Sequence, residues 1–217
     1  MGRPRNDSGE PCAIERIVDA FWSLLEENTV KEITISMVAA KAGCNRGTFY
    51  YHFSDMDDLL TYCIEAEMVG KGDDSYAITL FSLLTKPSSE LLIDLPRQQM
   101  VRKLCLLITQ GGMEIVDTKM KALILKMWQD ILCEEGCSLS FESRLIVEYS
   151  VSGMIALFLL VYRMVEDGDE LPEHIDMDVF QSMARIQLAQ LSRCENVEPG
   201  EMAMRLKMYD KSIRTRS

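Results

Sequence analysis

The sequence has few of the residues that build catalytic and metal sites. It contains only two histidines, His52 and His174, which lie far apart in the chain. Histidine is the commonest protein ligand of transition metals and the commonest general acid or base. No glycine-rich phosphate loop and no nucleophile motif is present either. These absences disfavour an enzyme, and we expect neither a metal nor a cofactor.

A long apolar run and a surplus of basic residues are also missing. The strongly apolar run at residues 151–162 is shorter than the ~20 residues that a membrane span needs. The first eleven residues contain no apolar segment of a secretory signal. Acidic residues outnumber basic ones by 34 to 23, which gives a net charge of −11. We therefore expect a folded cytoplasmic protein with no membrane partner.

The cysteines argue for a reducing compartment. There are seven, an odd number, and they are scattered through helix-like segments. Neither feature suits a disulfide framework. Cys133 and Cys137 are spaced for one helical turn, but Gly136 interrupts the segment and both histidines are distant in sequence. We therefore prefer buried, small apolar side chains over a metal or redox site at this place.

Apolar residues recur every three or four positions along most of the chain, which is the pattern of amphipathic helices. They do so at residues 14–25, 100–108, 120–131, 141–165 and 176–192. Breaks are expected near residues 70–74, 86–89, 111–112 and 136–138. No alternating run of β-branched residues is long enough to indicate a sheet. The predicted fold class is all-α.

Residues 34–53 have the pattern of a helix-turn-helix. Thr34 is a suitable N-cap for a short helix, and Gly43 tolerates the positive φ that ends it. Asn45 is a second N-cap only two residues later, so another helix begins at Arg46. In such an arrangement the first residues of the second helix face outward. An ordinary helical hairpin, in which the aromatic residues only pack, is the alternative.

The outward-facing residues of the second helix have the chemistry of DNA recognition. Arg46 can donate two hydrogen bonds to guanine, and Thr48 can contact a thymine methyl group or a phosphate. Gly47 has no Cβ, so a bulky surface such as a groove edge can approach the backbone closely. Phe49 and Phe53, four residues apart, should point inward.

The segment ITISMVAAKAGCNRGTFYYHFSDMDDLL, residues 33–60, resembles the DNA-binding domain of the TetR (tetracycline repressor) family. The family pattern is met at Thr34, Val38, Ala39, Ala42, Gly43, Asn45, Gly47, Thr48, Phe49, Tyr50, His52, Phe53 and Leu59. The resemblance covers about a quarter of the chain. It implies a DNA-binding transcriptional regulator with a double-stranded operator, by family habit a repressor. The implied DNA-binding residues are Thr34, Ser36, Lys41, Asn45, Arg46, Gly47, Thr48, Tyr50, Tyr51 and His52.

Two features depart from what a DNA-binding domain usually has. The family commonly places a phosphate-contacting lysine at the position of Met56. In addition, residues 1–69 contain twelve acidic and six basic residues, a net charge of −6, whereas DNA-binding segments are usually basic. A protein-interaction module that kept the fold but lost specific DNA binding is therefore the rival interpretation. The basic residues 2–5 are either a minor-groove arm or a solvated terminus.

We divide the chain into three parts: a helix-turn-helix DNA-binding domain at residues 1–55, a larger helical effector-binding and dimerisation domain at 56–195, and a basic C-terminal tail at 196–217. For the basic residues 205–217 a solvated tail is preferred over a second DNA contact. One recognition helix reads too few base pairs for specificity, so a homodimer on a palindrome is expected. The predicted dimer interface comprises Ser152, Gly153, Ala156, Met183, Ile186, Leu188 and Leu191. Ordinary packing within one chain is the alternative for these helices.

The resemblance also implies a pocket for a small apolar effector. Fifteen methionines are many for this length, and flexible thioethers suit an adaptable cavity. The expected pocket residues are Met100, Met113, Met120, Met127, Trp128, Glu148, Tyr149 and Phe158. Core packing is the competing interpretation of this set. The operator, the effector and the sign of regulation do not follow from the sequence.

Overall fold

The computed structural model describes residues 12–69, 76–87, 99–134, 136–168 and 177–214. Within these ranges the chain is helical and contains no strand, so the all-α prediction is confirmed. The helices are α1 (Ala13–Leu25), α2 (Ile35–Lys41), α3 (Arg46–His52), α4 (Met56–Val69), α5 (Tyr76–Thr85), α6 (Gln99–Leu107), α7 (Met113–Leu132), α8 (Phe141–Glu166), α9 (Met177–Cys194) and α10 (Pro199–Arg214).

The first three helices form a small bundle around buried apolar side chains. α1 packs against both α2 and α3. Ile17, Phe21 and Leu25 on α1 meet Val38 on α2 and Phe49 on α3, and all five are fully buried. The spacing of the three α1 residues follows the helical period, which is why one face of α1 is enough to hold the other two helices.

A short irregular segment separates α6 from α7. Residues 108–112 form a widened helical turn in which Gly111 has φ +88°. This conformation favours glycine because other residues clash there. A Cβ on the neighbouring Gly112 would lie 2.7 Å from the carbonyl oxygen of Leu107, so this position also excludes a side chain. The break that we expected at residues 111–112 is thus a kink between two helices.

The larger helical part is built from α5 to α10. α7 packs along α8, α8 along α9, and α5 against α9 and α10. Where α9 ends, the Glu195 carboxylate accepts hydrogen bonds from the Ser140 amide (2.9 Å) and hydroxyl (2.7 Å) just before α8. Burial raises the pKa of Glu195, but the hydroxyls of Ser143 and Ser140 and the Ser140 amide outweigh it and hold the pKa below the usual glutamate range.

The C-terminal segment differs from the solvated tail that we expected. Residues 199–214 form α10, which packs on α5 and α7. Met202 and Leu206, four residues apart, are buried on its inner face. Arg205 donates to the carbonyl oxygens of Ile131 (3.0 Å) and Leu132 (3.3 Å) at the end of α7. Basic side chains therefore occupy the outer face of a packed helix and also cap α7.

The apolar stretch of α8 is longer than the run considered in the sequence. Residues Phe141–Met164 are long and apolar enough to cross a membrane by length and composition, and 24% of this stretch is buried within the chain. Core helices of soluble proteins pass the same test. The low burial of α8 shows that a large part of its apolar surface is not covered by the rest of the chain.

Candidate functional site

The helix-turn-helix is held by caps that the sequence predicts. The Thr34 hydroxyl accepts a hydrogen bond from the Met37 amide at 3.3 Å, where α2 begins. Gly43 has φ +63° in the turn. The Asn45 side-chain oxygen accepts from the Thr48 amide at 2.8 Å, where α3 begins. Each cap satisfies a backbone amide that has no partner inside its helix, so α3 starts at a defined residue.

The outer face of the motif is polar and aromatic. Arg46 is exposed at the first position of α3, and Tyr50 and Tyr51 are 53% and 75% exposed. Phe49 and Phe53 are buried, with their ring centroids 5.7 Å apart. The other predicted DNA-binding residues divide by exposure: Thr34, Ser36, Lys41, Asn45 and Gly47 are exposed, whereas Thr48 and His52 are half-buried.

Two of these residues have roles inside the chain. The Thr48 hydroxyl donates to the Asn45 side-chain oxygen at 3.2 Å, so its hydrogen is not directed outward. A Cβ on Gly47 would lie 3.1 Å from the same Asn45 oxygen, which is tighter than ordinary van der Waals contact. Glycine at position 47 therefore leaves room for the cap of α3, a reason that is independent of any approaching DNA.

The carboxylates at the start of α4 have hydrogen-bond partners within the chain. Asp55 accepts from the Asp58 amide (2.9 Å), and Asp58 accepts from the Ser54 amide (2.9 Å) and hydroxyl (3.2 Å). Asp57 accepts from the ammonium group of Lys119 on α7 at 2.8 Å. Met56 is half-buried and packs against the core. Sequence reasoning missed Lys119, because it lies 62 residues from Asp57 and no local pattern connects the two.

Further contacts join the N-terminal bundle to the larger helical part. Lys103 on α6 forms an ion pair with Glu67 on α4, and its ammonium group lies 5.1 Å from the centre of the Trp22 ring on α1. The Val30 amide, after α1, donates to the Gln110 carbonyl oxygen in the kink at 3.0 Å. The position of α4 and α1 thus depends directly on α6, α7 and the kink between them.

A cavity lies between α5, α7, α8 and α9. It is lined by Tyr76, Leu80, Ile124, Trp128, Val147, Ser150, Ala184, Gln187, Leu188 and Leu191. No lining residue is charged, and the polar groups are a phenol, a hydroxyl and an amide. Burial raises the pKa of Tyr76 to about 12, so the phenol is neutral at physiological pH. The cavity measures about 20 Å³, which is room for little more than one water molecule.

The residues expected at a pocket lie in several places. Trp128 lines the cavity. Met120 and Met127 are buried in the main core, and Phe158 is buried in a small separate cluster. Met113 and Tyr149 are exposed, and Glu148 lies 3.5 Å from Lys121 in an ion pair. The side chain of Met100 lies outside the described residues. Methionines at helical spacing occur both in the core and at cavity walls. The spacing therefore does not indicate which of these residues line the cavity.

The residues expected at a dimer interface divide into two groups. Leu188 and Leu191 are each 3% exposed and lie in the core of their own chain. Met183 and Ile186 are 54% and 63% exposed on α9. The small residues Ser152, Gly153 and Ala156 are exposed along α8. The basic residues 2–5 lie outside the described residues.

Among the described residues, no group of three or more His, Cys, Asp or Glu side chains could hold a metal ion. The cysteines in the same ranges are free thiols. Cys137 is exposed and Cys133 is half-buried, so the expectation that both are buried was wrong. Cys63 and Cys105 are buried, and burial raises the pKa of both, that of Cys105 to about 11. These two thiols therefore act as small apolar core residues and not as reactive groups.

Comparison with known proteins identifies the N-terminal bundle. Residues 17–63 match the family described as "Bacterial regulatory proteins, tetR family". No curated protein matches the sequence. A solved structure of the fatty acid degradation regulator FadR from Bacillus halodurans aligns over 94% of this chain and 95% of that one, with 16% sequence identity and a TM-score of 0.29. The matched residues contain α2, α3 and most of α1 and α4.

Proposed function

We propose that this chain is a cytoplasmic, homodimeric repressor of the TetR family; the match of residues 17–63 to that family supports a DNA-binding transcriptional regulator. It binds a palindromic operator and leaves it when a small, apolar effector binds. The single observation that supports DNA recognition most strongly is the exposed start of α3, where the Asn45 cap holds Arg46 outward.

The exposed residues of α3 suit both kinds of DNA contact. Arg46 stands at the first helical position, from which a guanidinium group can reach a guanine edge in the major groove. Tyr50 and Tyr51 carry phenol groups that can donate to phosphate oxygens, and Lys41 at the end of α2 adds a positive charge. Asn45 and Gly47 act by holding the helix start in place, and Thr34 does the same for α2.

The first experiment is binding of the purified protein to duplex DNA from around its own gene across a salt series, with scrambled DNA as the control. We expect a specific complex whose affinity falls steeply with salt. Arg46→Ala should weaken specific binding by about 1–3 kcal/mol, whereas Arg102→Ala, at an exposed position on α6, should leave it unchanged. If no sequence preference exists even at low salt, the interaction-module interpretation replaces the repressor.

The homodimer proposal is supported by exposed apolar side chains on α8 and α9. On α8, the exposed residues Phe141, Leu145 and Tyr149 repeat every four positions, and Leu160 continues the line beyond Ser152, Gly153 and Ala156. On α9, the exposed residues are Val179, Met183 and Ile186. Such contiguous apolar surfaces are unusual on a monomer. Two helices from each of two copies would bury them in a four-helix bundle.

The oligomeric state of two matched variants tests this interface. Met183→Glu places a charge on the exposed line of α9, and Met204→Glu does the same on α10, where the methionine is similarly exposed, at 58% against 54%. We expect Met183→Glu to be monomeric by light scattering after size exclusion and Met204→Glu to remain a dimer. Two dimeric variants would argue against the α8–α9 interface.

The effector proposal is supported by the uncharged cavity between α5, α7, α8 and α9. Its apolar walls disfavour a charged ligand, because burying an unpaired charge is costly. The neutral Tyr76 phenol, Ser150 and Gln187 suit a molecule with one or two hydrogen-bonding groups. Since the cavity is small in this conformation, a ligand must move its walls, so it selects a different arrangement of the helices. Only a ligand that prefers this arrangement can release DNA.

Uncharged aliphatic and aromatic compounds, screened for release of the protein from DNA, test this site. An effector should also change the fluorescence of Trp128, and Trp128→Phe should remove that signal while the signal of Trp22 remains. A compound that releases DNA without any change in the Trp128 signal would place the effector elsewhere.

A further inference from the structure

We propose that Lys119 is a positioning residue for DNA binding: from α7 it neutralises Asp57 at the start of α4 and so holds the recognition helix α3 in place. This inference rests on the proposed DNA binding. Lys119 is not offered as a group that touches DNA. It acts through Asp57 and Thr61, both of which belong to α4.

The geometry is a closed network of three groups. The Lys119 ammonium group donates to the Asp57 carboxylate at 2.8 Å and to the Thr61 hydroxyl at 2.6 Å. The Thr61 hydroxyl donates in turn to the Asp57 carbonyl oxygen at 2.8 Å, so its free lone pairs face Lys119. The Lys119 side chain is 15% exposed, whereas the Asp57 side chain is 73% exposed. A largely covered cation therefore reaches out to a solvent-facing carboxylate.

The charge at this place matters because three aspartates surround the start of α4. Asp55 and Asp58 accept hydrogen bonds from backbone amides at the N-terminus of α4. Asp57 instead pairs with Lys119. Only the C-cap Phe53 and residues 54–55 separate α3 from α4, so a carboxylate without its cation would stand close to any phosphate near α3. Lys119 removes that repulsion.

The network also fixes the direction of α4. Asp57 and Thr61 hold the first turns of α4 to α7, and Glu67 holds its later part to Lys103 on α6. About ten residues separate Asp57 from Glu67, which is about 15 Å along a helix. Two contacts at that distance set the helix direction, and α3 follows because the link between α3 and α4 is short. The recognition helix therefore has a defined orientation relative to the larger helical part.

Lys119 connects this orientation to the cavity. Ile124 and Trp128, which line the cavity, lie on α7 one to three turns after Lys119. A packed helix moves as a unit, so a ligand that displaces α7 at Ile124 also displaces Lys119 relative to Asp57. The same residue that supports DNA binding then weakens it when the cavity is filled.

A double-mutant cycle on the full-length protein tests the proposal. The probe is a duplex that the wild-type protein selects from random DNA, and the readout is its dissociation constant. We expect Lys119→Met to weaken binding about three- to tenfold, because each of two subunits loses a modest electrostatic contribution. Asp57→Asn removes both the anchor for Lys119 and the carboxylate that repels phosphate; these effects oppose each other, so binding should change by less than about threefold. In the Asp57→Asn background, Lys119→Met should then have little further effect.

Three control variants separate a local charge effect from damage to the fold. Lys126→Met changes a lysine on the same helix whose partner, Asp130, is also on α7, and its affinity should match that of the wild type. Lys119→Arg keeps the charge and should retain most of the affinity. Lys119→Gln keeps a hydrogen-bond donor for Thr61 without the charge, and it replaces Lys119→Met if the latter has a lower melting temperature.

The possible outcomes have distinct meanings. Wild-type affinity in Lys119→Met and Lys119→Gln would overturn the proposal. So would an equal loss on replacing Lys119 in the wild-type protein and in the Asp57→Asn variant, because Lys119 would then act without the Asp57 carboxylate. If the wild-type protein selects no DNA sequence at all, the proposed DNA-binding function fails, and this result is distinguishable from failure of the role of Lys119.

Discussion

Replacing Asn45 by alanine is the sharpest perturbation of the recognition helix. The Asn45 side-chain oxygen accepts from the Thr48 amide at 2.8 Å and from the Thr48 hydroxyl at 3.2 Å. Loss of an N-cap of this kind costs about 1 kcal/mol, within a range of roughly 0.5–2 kcal/mol. The buried Phe49 still anchors α3. For a chain of this size we therefore expect the melting temperature to fall by only about 2–4 °C.

The effect on DNA binding should be larger than the effect on stability suggests. α3 has seven residues, and Arg46 is the first of them, so fraying at the cap moves the residue that we assign to base recognition. A loss of about 1–2 kcal/mol per site corresponds to a weakening of about 5- to 30-fold. Asn45→Ser keeps a good capping oxygen, so it should retain most of the affinity.

The measurements are the DNA affinity of each variant, by fluorescence anisotropy with the selected duplex, and its melting temperature. If Asn45→Ala melts earlier but binds DNA like the wild type, the start of α3 is not at the interface and the reasoning is wrong. If Asn45→Ser binds as weakly as Asn45→Ala, the asparagine contacts DNA itself, beyond its role as a cap.

Three further predictions concern the fold. Gly112→Ala should destabilise the protein by roughly 1–3 kcal/mol in denaturant unfolding, because the new methyl group meets a backbone carbonyl in the kink; an unchanged midpoint would contradict this. In thiol labelling, the exposed Cys137 should react quickly and the buried Cys63 only on unfolding; equal rates would show that the core opens. Because the pKa of Glu195 is lowered in the fold, its contribution should be complete above the ordinary value of about 4.3 and vanish as the pH falls below it. Glu195→Gln should therefore reduce stability at neutral pH but not in strong acid, which thermal melts across pH can check.

The helix-turn-helix could be predicted because all its determinants are local. Thr34, Gly43 and Asn45 act on backbone groups within three or four residues of themselves, and Phe49 with Phe53 marks the inner face of α3. Helix caps and positive-φ turns leave clear signals in a sequence for that reason. The structure adds one local effect that we did not foresee, the contact between a Cβ at position 47 and the capping oxygen of Asn45.

The basic composition of the C-terminal segment gave no indication that it forms the packed helix α10. Residues 205–216 are rich in lysine and arginine, which favours the interpretation as a solvated tail. The pair Met202 and Leu206, spaced for one helical face, was the available signal for α10. Burial of that pair and the contacts of Arg205 with the end of α7 outweigh the basic composition.

The α9 residues illustrate a different limit. Met183, Ile186, Leu188 and Leu191 are equally apolar in the sequence, yet the first two face outward and the last two face the core. Both faces of such a helix are apolar when one packs within the chain and the other packs against a partner. From a single sequence, the residues of α9 that face the core therefore cannot be told apart from those that we propose to face a partner.

The acidic composition of residues 1–69 was the main argument against DNA binding. The structure makes this argument weaker. Residues 1–69 carry a net charge of −6, but this count leaves out basic residues from the rest of the chain that pair with these carboxylates. At the start of α4, two aspartates accept backbone amide hydrogens and the third pairs with Lys119, a residue outside the counted segment. One of the three carboxylates at this end of α4 is therefore paired with a cation that the charge count of residues 1–69 omits. If the proposed role of Lys119 is correct, DNA binding depends on α7, the helix that also contributes Ile124 and Trp128 to the wall of the cavity.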